Sequence, residues 1–216
     1  MPLHLRGSWR SIVSEYALIC FRNEVERVAL PRSDDKRKAI LDAALRVFAE
    51  RGITSAPTSA ISKAAGVAEG SLFTYFKTKD ELMNELYLDL RQEFSRHIPD
   101  FPHGGDTRAR LRYIWDKYLE LGAAHPEQLK VLAHLRASGK LFRENETATF
   151  ALLEVVKATG EAVAGNELRN APSEYLVLML RALAEITVEF INAHPECAAV
   201  CQELGFKMLW NGFAGE

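Results

Sequence analysis

Residues 57–76, PTSAISKAAGVAEGSLFTYF, decide the fold of this chain of 216 residues. They predict two short helices joined by a tight turn at Gly66, because glycine readily adopts the left-handed backbone conformation that such a turn requires. Small or branched side chains can pack the two helices closely: Ala60, Ile61, Ala64 and Val67. Larger apolar side chains are expected to anchor the second helix to the core: Leu72, Phe73 and Phe76.

The second of these helices, expected at residues 68–75, leaves a row of small or polar residues exposed: Ala68, Glu69, Gly70, Ser71 and Thr74. A helix with so slim an exposed face can enter the major groove of DNA. Lys77, Lys79 and the N-terminus of a helix that follows Thr78 are placed to meet backbone phosphates. The pattern therefore predicts a helix that contacts DNA.

Helical spacing of apolar residues continues on both sides of this segment. On the N-terminal side, apolar residues repeat every three and four positions from about residue 35 to Gly52, with Ser33 or Asp34 as the expected N-cap. On the C-terminal side, Thr78 and Glu81 have the spacing of a capping box and open a helix that runs to about residue 96.

The second half of the chain is also helical and follows a linker rich in turn-forming residues, namely Pro99, Pro102, Gly104 and Gly105. Further helices are predicted at residues 107–124, 126–137, 144–164, 173–193 and 196–213. The last two are apolar around more of their circumference than one core-facing stripe requires, which indicates a buried interface. Because no alternating strand pattern of useful length appears, the expected fold class is all-α.

The overall composition is that of a globular protein and hides an uneven distribution of charge. With 48% hydrophobic and 26% charged residues, the chain is not a disordered one. Its net charge of -2 gives no hint of a nucleic-acid partner, yet residues 32–79 alone carry nine basic against five acidic side chains, or +4. Cys20, Cys197 and Cys201 do not indicate a disulfide framework, and no apolar run approaches the roughly 20 residues of a membrane span.

Residues 35–91 resemble the DNA-binding domain of the TetR/AcrR transcriptional regulators. The motif of that family appears without a gap in Ala65, Gly66, Val67, Gly70, Leu72, Phe73, Tyr75, Phe76, Thr78, Lys79 and Leu82. The resemblance implies DNA contact by Thr58, Ala68, Glu69, Ser71, Thr74, Tyr75, Lys77 and Lys79. Glu69 stands where the family often has Lys, Ser or Arg, and its carboxylate would prefer a cytosine amino group to a phosphate.

The same resemblance divides the chain into an N-terminal extension (1–33), a helix-turn-helix DNA-binding domain (34–94), and a ligand-binding and dimerisation domain (95–216). It implies a homodimeric transcriptional repressor that binds a palindromic operator in double-stranded DNA. The repressor would be released by a small hydrophobic or aromatic effector. We expect a cytoplasmic, nucleoid-associated protein with no cofactor, no bound metal, no membrane partner and no enzymatic activity.

The C-terminal half is similar, more weakly, to RamR-like repressors of multidrug-resistance activators, which bind bulky and often cationic aromatic drugs. The similarity lies in the region of Trp115, Gly122, His125, Pro126, Ala182, Leu183, Ala184, Glu185, Leu204, Gly205, Phe206 and Trp210. Carried over residue by residue, it implies a pocket lined by Tyr87, Arg91, Trp115 and Leu180, with Leu180 in the place of a ligand-stacking aromatic. The aromatic residues are equally compatible with packing in an ordinary core.

At the level of the sequence, alternatives stay open on three points: the function, the role of two cysteines and the status of residues 1–27. The chain could be a DNA binder without a small-molecule inducer, or a helical enzyme, although no nucleophile–base pair, phosphate loop or metal motif is present. Cys197 and Cys201 lie one helical turn apart and could form a redox pair or bind a metal with His194. Residues 1–27 have no counterpart in the family pattern and are either a mis-annotated start before residue 28 or an additional helix at 11–28.

Overall fold

The structure is a computed structural model that describes residues 31–97, 106–142, 159–165 and 167–215. The α-helices named within these ranges are α1 (Pro31–Arg51), α2 (Thr58–Ala64), α3 (Glu69–Tyr75), α4 (Lys79–Arg96), α5 (Thr107–Ala124), α6 (Pro126–Ala137), α7 (Ser173–Ala193) and α8 (Ala198–Phe213). Residues 159–164 are also helical, and a 3₁₀ turn, Pro195–Cys197, precedes α8. The all-α fold class is confirmed.

Most helix ends agree with the sequence-based expectation, and three differ. Ser33 and Asp34 both lie within α1, so the expectation that one of them is its N-cap was wrong. Pro57 is the N-cap of α2 rather than part of its first turn. The helix expected at 196–213 is split between the 3₁₀ turn and α8.

Some sequence-based predictions fall outside the described residues. These are the two readings of residues 1–27, the linker at 98–105 and most of the helix expected at 144–164. The proposed domain boundaries stay predictions.

A first hydrophobic core lies between α1, α2, α3, α4 and the middle of α6. The apolar row predicted for α4, Leu82, Leu86 and Leu90, lies at its centre, and each of these side chains is at most 2% exposed. Burial of one leucine side chain contributes about 1.5–3 kcal/mol. This row therefore holds α4 firmly against its neighbours.

A second hydrophobic core lies between α5, α7 and α8. Trp115 of α5 is fully buried in it, and its indole Nε1–H donates a hydrogen bond to the Gln202 carbonyl at 3.0 Å. The ring of Phe206 lies 6.5 Å away, centroid to centroid. The backbone of Gly205 passes directly beside the indole, so α8 approaches α5 closely at this point.

Helix α6 and the residues after it connect the two cores. Leu129 packs in the second core, whereas the following apolar residues of α6 pack in the first: Val131, Leu132 and Leu135. The buried amide of Asn84 in α4 donates to the Lys140 carbonyl at 3.0 Å and accepts from the Phe142 N–H at 2.7 Å. The start of α4 is therefore tied to the chain that leaves α6.

Gly205→Ala should lower the free energy of unfolding by about 1–3 kcal/mol, the usual cost of overpacking a core. A Cβ at this position would lie 2.6 Å from Cζ2 and 2.8 Å from Cη2 of Trp115, and the fused indole ring cannot bend away. Denaturant unfolding measures the effect. The matched control is Gly212→Ala in the same helix, where a Cβ meets nothing within 4 Å. Equal stabilities of the two variants would contradict this packing.

Candidate nucleic-acid interface

The turn between α2 and α3 has the geometry that the sequence predicts. Gly66 has a φ of 68°, in the left-handed region where a residue with a Cβ is strained. Its N–H donates to the Lys63 carbonyl at 3.2 Å, and the Val67 N–H donates to the Ser62 carbonyl at 3.0 Å. These two bonds form a Schellman motif that ends α2 and directs the chain into α3.

Helix α3 buries one residue and exposes most of the others. Leu72 is fully buried, and Phe76, which follows the helix, is 1% exposed. The residues predicted to stay exposed are all exposed: Ala68, Glu69, Gly70, Ser71 and Thr74. The expectation that Phe73 anchors the helix was wrong, because its side chain is 41% exposed. Because α3 has only two turns and Leu72 is its one buried residue, the next side chain, that of Phe73, lies at the side of the helix and not against the core.

Two of the residues predicted to contact DNA touch each other. The Thr58 hydroxyl at the start of α2 donates to Oε1 of Glu69 at the start of α3, at 3.3 Å. Glu69 also lies in the first turn of its helix, where the helix dipole favours a negative charge. Its carboxylate is therefore held by the protein and exposed at the same time.

The start of α4 presents backbone N–H groups beside an exposed lysine. Thr78 is the N-cap as predicted, and its hydroxyl accepts from the Glu81 N–H at 3.0 Å. Oε2 of Glu81 accepts from the Lys77 N–H at 2.8 Å, one residue before the N-cap. The Lys77 side chain is exposed, and Tyr75 is half-buried against the first core.

Lys79 is directed into the protein rather than only toward solvent. Its ammonium donates to the Ile53 carbonyl at 2.6 Å and to the Ala56 carbonyl at 2.7 Å. It also lies 5.8 Å from the ring centroid of Phe48, and burial lowers the pKa of this lysine. Two of its three N–H protons thus hold the loop between α1 and α2.

The comparisons with known proteins agree with this geometry. Residues 40–86 match the sequence profile of the family described as "Bacterial regulatory proteins, tetR family". The regulator AcrR of Shigella flexneri is 40% identical over 95 residues, which are 41% of this chain and 42% of AcrR. The uncharacterized regulator YhgD of Bacillus subtilis is 30% identical over 131 residues, which are 58% of this chain and 61% of YhgD. The chain thus spans about half the length of these curated relatives.

The similarity of fold extends further along the chain. A putative TetR-family regulator from Shewanella sp. PV-4 superposes with a TM-score of 0.74 and 26% identity, over 84% of this chain and 99% of that one. Residues 40–86 carry a TetR-type DNA-binding domain. The two relatives and the Shewanella protein are all named as regulators, which agrees with the expectation that the chain is not an enzyme.

Three of the four residues predicted to line a ligand pocket are divided between the two cores, and the fourth, Arg91, belongs to neither. Tyr87 belongs to the first core, and Trp115 and Leu180 belong to the second. Arg91, one turn after Tyr87 on α4, is 8% exposed. Its guanidinium donates to the Tyr87 hydroxyl at 3.3 Å and lies 5.2 Å from the centroid of that ring.

Sequence reasoning missed a polar cluster formed by Tyr118, Arg136, Arg181 and Glu185. Oε1 of Glu185 in α7 accepts from the Tyr118 hydroxyl of α5 at 3.0 Å and pairs with the guanidinium of Arg136 in α6. Nε of Arg181 lies 3.8 Å from the same oxygen. Burial raises the pKa of Tyr118, so its hydroxyl stays a neutral donor. The spacing of four residues between Arg181 and Glu185 was the one local sign of this cluster in the sequence, because tertiary packing brings the other partners together.

Two absences hold for the part of the chain that the structure describes. In it, no three His, Cys, Asp or Glu side chains lie together in a way that could hold a metal ion. None of its helices combines the length and the apolar character needed to cross a membrane.

Lys79→Met should lower the free energy of unfolding by about 1–3 kcal/mol, because hydrogen bonds to a charged group contribute in this range. Lys77→Met removes the same charge from an exposed side chain and should change stability by less than about 0.5 kcal/mol. Thermal and denaturant unfolding of both variants provides the comparison. If the two variants were equally stable, Lys79 would not hold the loop.

Proposed function

We propose that the chain is a transcriptional repressor that binds a palindromic operator as a homodimer and inserts α3 into the major groove. The observation that carries this proposal is the exposed face of α3, which is slim, polar and set at a fixed angle by the turn at Gly66. The family of the chain supports it. Lys77 and the N-terminus of α4 then contact phosphates, and Lys79 acts chiefly by holding the loop beside them.

The exposed Phe73 adds a residue to the contacts predicted from sequence. An apolar side chain on the flank of a recognition helix can pack against a thymine methyl group. The proposed contacts are therefore Thr58, Ala68, Glu69, Ser71, Phe73, Thr74, Tyr75 and Lys77.

Dimerisation through α7 and α8 is supported by the large apolar side chains that these helices expose: Tyr175, Leu178, Met179, Ile186, Phe190, Val200, Leu204 and Met208. Ile186 is 65% and Val200 69% exposed. Large exposed apolar side chains concentrated on two helices are typical of an interaction site. Pairing of the two helices with their copies would cover it as a four-helix interface and would place two α3 helices on one face.

A small-molecule effector that releases the repressor is the second part of the proposal. Among the relatives, one is named the nicotine-responsive repressor HdnoR of Paenarthrobacter nicotinovorans and another the fatty acid metabolism regulator of Bacillus subtilis. The Bacillus subtilis FadR structure, with a TM-score of 0.62 and 22% identity, contains stearoyl-CoA. For this chain we propose an effector with an apolar or aromatic part that binds beside α4 and favours a state unable to bind DNA. Such a protein would act in the cytoplasm, on the nucleoid.

Selection from a pool of random duplexes should yield a palindrome bound by the parent protein and lost in Thr74→Glu. Thr74 is exposed on α3, and a carboxylate there would face the phosphates of the groove. Ala109→Glu adds the same charge to an exposed position of α5 and should bind like the parent. Equal affinities of the two variants for the selected DNA would refute the placement of α3.

Ile186→Glu should convert the dimer to a monomer, because the carboxylate would be buried in the apolar interface without a partner. Light scattering should give the mass of one chain, 24.2 kDa, for this variant. Ala109→Glu, with the same change in charge, should keep the mass of two chains. A dimeric Ile186→Glu protein would place the interface elsewhere.

A further inference from the structure

The carboxylate of Glu69 is held at the surface of α3 by a residue of α2. Glu69 is the first residue of α3 and is exposed, and its Oε1 accepts from the Thr58 hydroxyl at 3.3 Å. Among the residues that the structure describes, no lysine or arginine forms an ion pair with this carboxylate. Because a carboxylate can accept several hydrogen bonds, it keeps acceptor capacity for a partner outside the protein.

The position of Glu69 on α3 directs this capacity toward the proposed DNA. In helix-turn-helix proteins, the N-terminal residues of the recognition helix are those that contact base edges. The neighbours of Glu69, namely Ala68 and Gly70, are exposed and small, so they leave room for a base on either side of the carboxylate. If α3 enters the major groove, as proposed, Glu69 therefore meets the edge of a base.

The chemistry of a carboxylate restricts which base it can bind. An ionised carboxylate accepts hydrogen bonds and donates none, so it requires a base that presents a donor. Guanine and thymine present no donor in the major groove, whereas cytosine presents its N4 amino group and adenine its N6 amino group. Adenine also presents the N7 acceptor beside that amino group, and its lone pair repels an approaching carboxylate. Cytosine is therefore the base that fits Glu69 best.

We propose that Glu69 binds the amino group of one cytosine in each half of the operator, and that Thr58 is the positioning residue for this contact. The inference rests on the proposed function and names a base that the operator must contain. The bond from Thr58 restricts the rotamers of the glutamate before DNA arrives. Less conformational entropy is then lost when the carboxylate binds the base.

The first test compares the DNA selected from random duplexes by the full-length parent, Glu69→Gln and Glu120→Gln. The parent should select a palindrome in which one cytosine of each half-site cannot be replaced without a loss of about tenfold in affinity. Glu69→Gln should prefer adenine at that position, because an amide can donate to N7 and accept from N6. The control, Glu120→Gln, removes the same charge from an exposed position of α5 and should select the same DNA as the parent. An unchanged base preference in Glu69→Gln would overturn the proposal.

The second test replaces this cytosine in the selected duplex with two methylated forms. When N4-methylcytosine pairs with guanine, its methyl group takes the place of the amino hydrogen in the major groove, so the donor for Glu69 is lost. A duplex with 5-methylcytosine carries a methyl group of the same size and keeps the donor. Fluorescence anisotropy should show a loss of about tenfold in affinity for the first base and of less than about threefold for the second. Equal losses would contradict a hydrogen bond to the amino group.

Two variants of Thr58 test its positioning role. Thr58→Val removes the hydroxyl and keeps the shape of the side chain, and it should lower the preference for cytosine about threefold to tenfold. Thr58→Ser keeps the hydroxyl and should retain the preference of the parent. Both variants should unfold within about 2 °C of the parent, because the bond to Glu69 is exposed and contributes little to folding. A Thr58→Val protein with the full preference for cytosine would refute the role of Thr58.

The proposed function and this inference fail on different results. If the parent selects no DNA, the proposed function fails and the inference fails with it. If the parent selects a palindrome but shows no preference for cytosine that depends on Glu69, only the inference fails and the DNA-binding function stands.

Discussion

The burial of one side of α4 is the constraint on which the remaining structure depends. Its leucine row fills the first core between α1 and α6, while its first residues carry the cap and the lysine that flank α3. Ion pairs between Arg37 and Glu85 and between Lys38 and Asp89 also connect α1 and α4. Such exposed pairs contribute little individually. The leucine row therefore carries more of the stability than these ion pairs, and the position of α4 determines the position of the proposed DNA-contacting surface.

Helix α6 is the second element that fixes the position of α4. Its first turn packs in the second core, its middle packs against α4 in the first core, and the residues that follow it form hydrogen bonds with Asn84. Arg136 of α6 also pairs with Glu185 of α7. Helix α6 therefore contacts α4 in the first core and α7 at the polar cluster.

The parts of the structure that were predictable from sequence are those with local causes. The positive φ of Gly66, the cap at Thr78 and the leucine periodicity of α4 each follow from a few neighbouring residues. The exposure of Phe73 was not predictable, because it depends on how a helix of two turns meets the core. The direction of Lys79 depends on carbonyls more than twenty residues away. The polar cluster draws its members from α5, α6 and α7, and only Arg181 and Glu185 lie in the same helix.

The contact between Thr58 and Glu69 has a consequence for the search of a chromosome. If α3 is the reading helix, as proposed, a carboxylate held there would repel phosphates at every position along DNA and would weaken binding to arbitrary sequences. A site that offers an amino group to the carboxylate would offset that penalty. Because a chromosome presents millions of competing sites, reduced residence on them would shorten the search and raise the fraction of molecules at the proposed operator. A negative charge on the proposed reading helix would thus improve discrimination between DNA sequences at the expense of affinity.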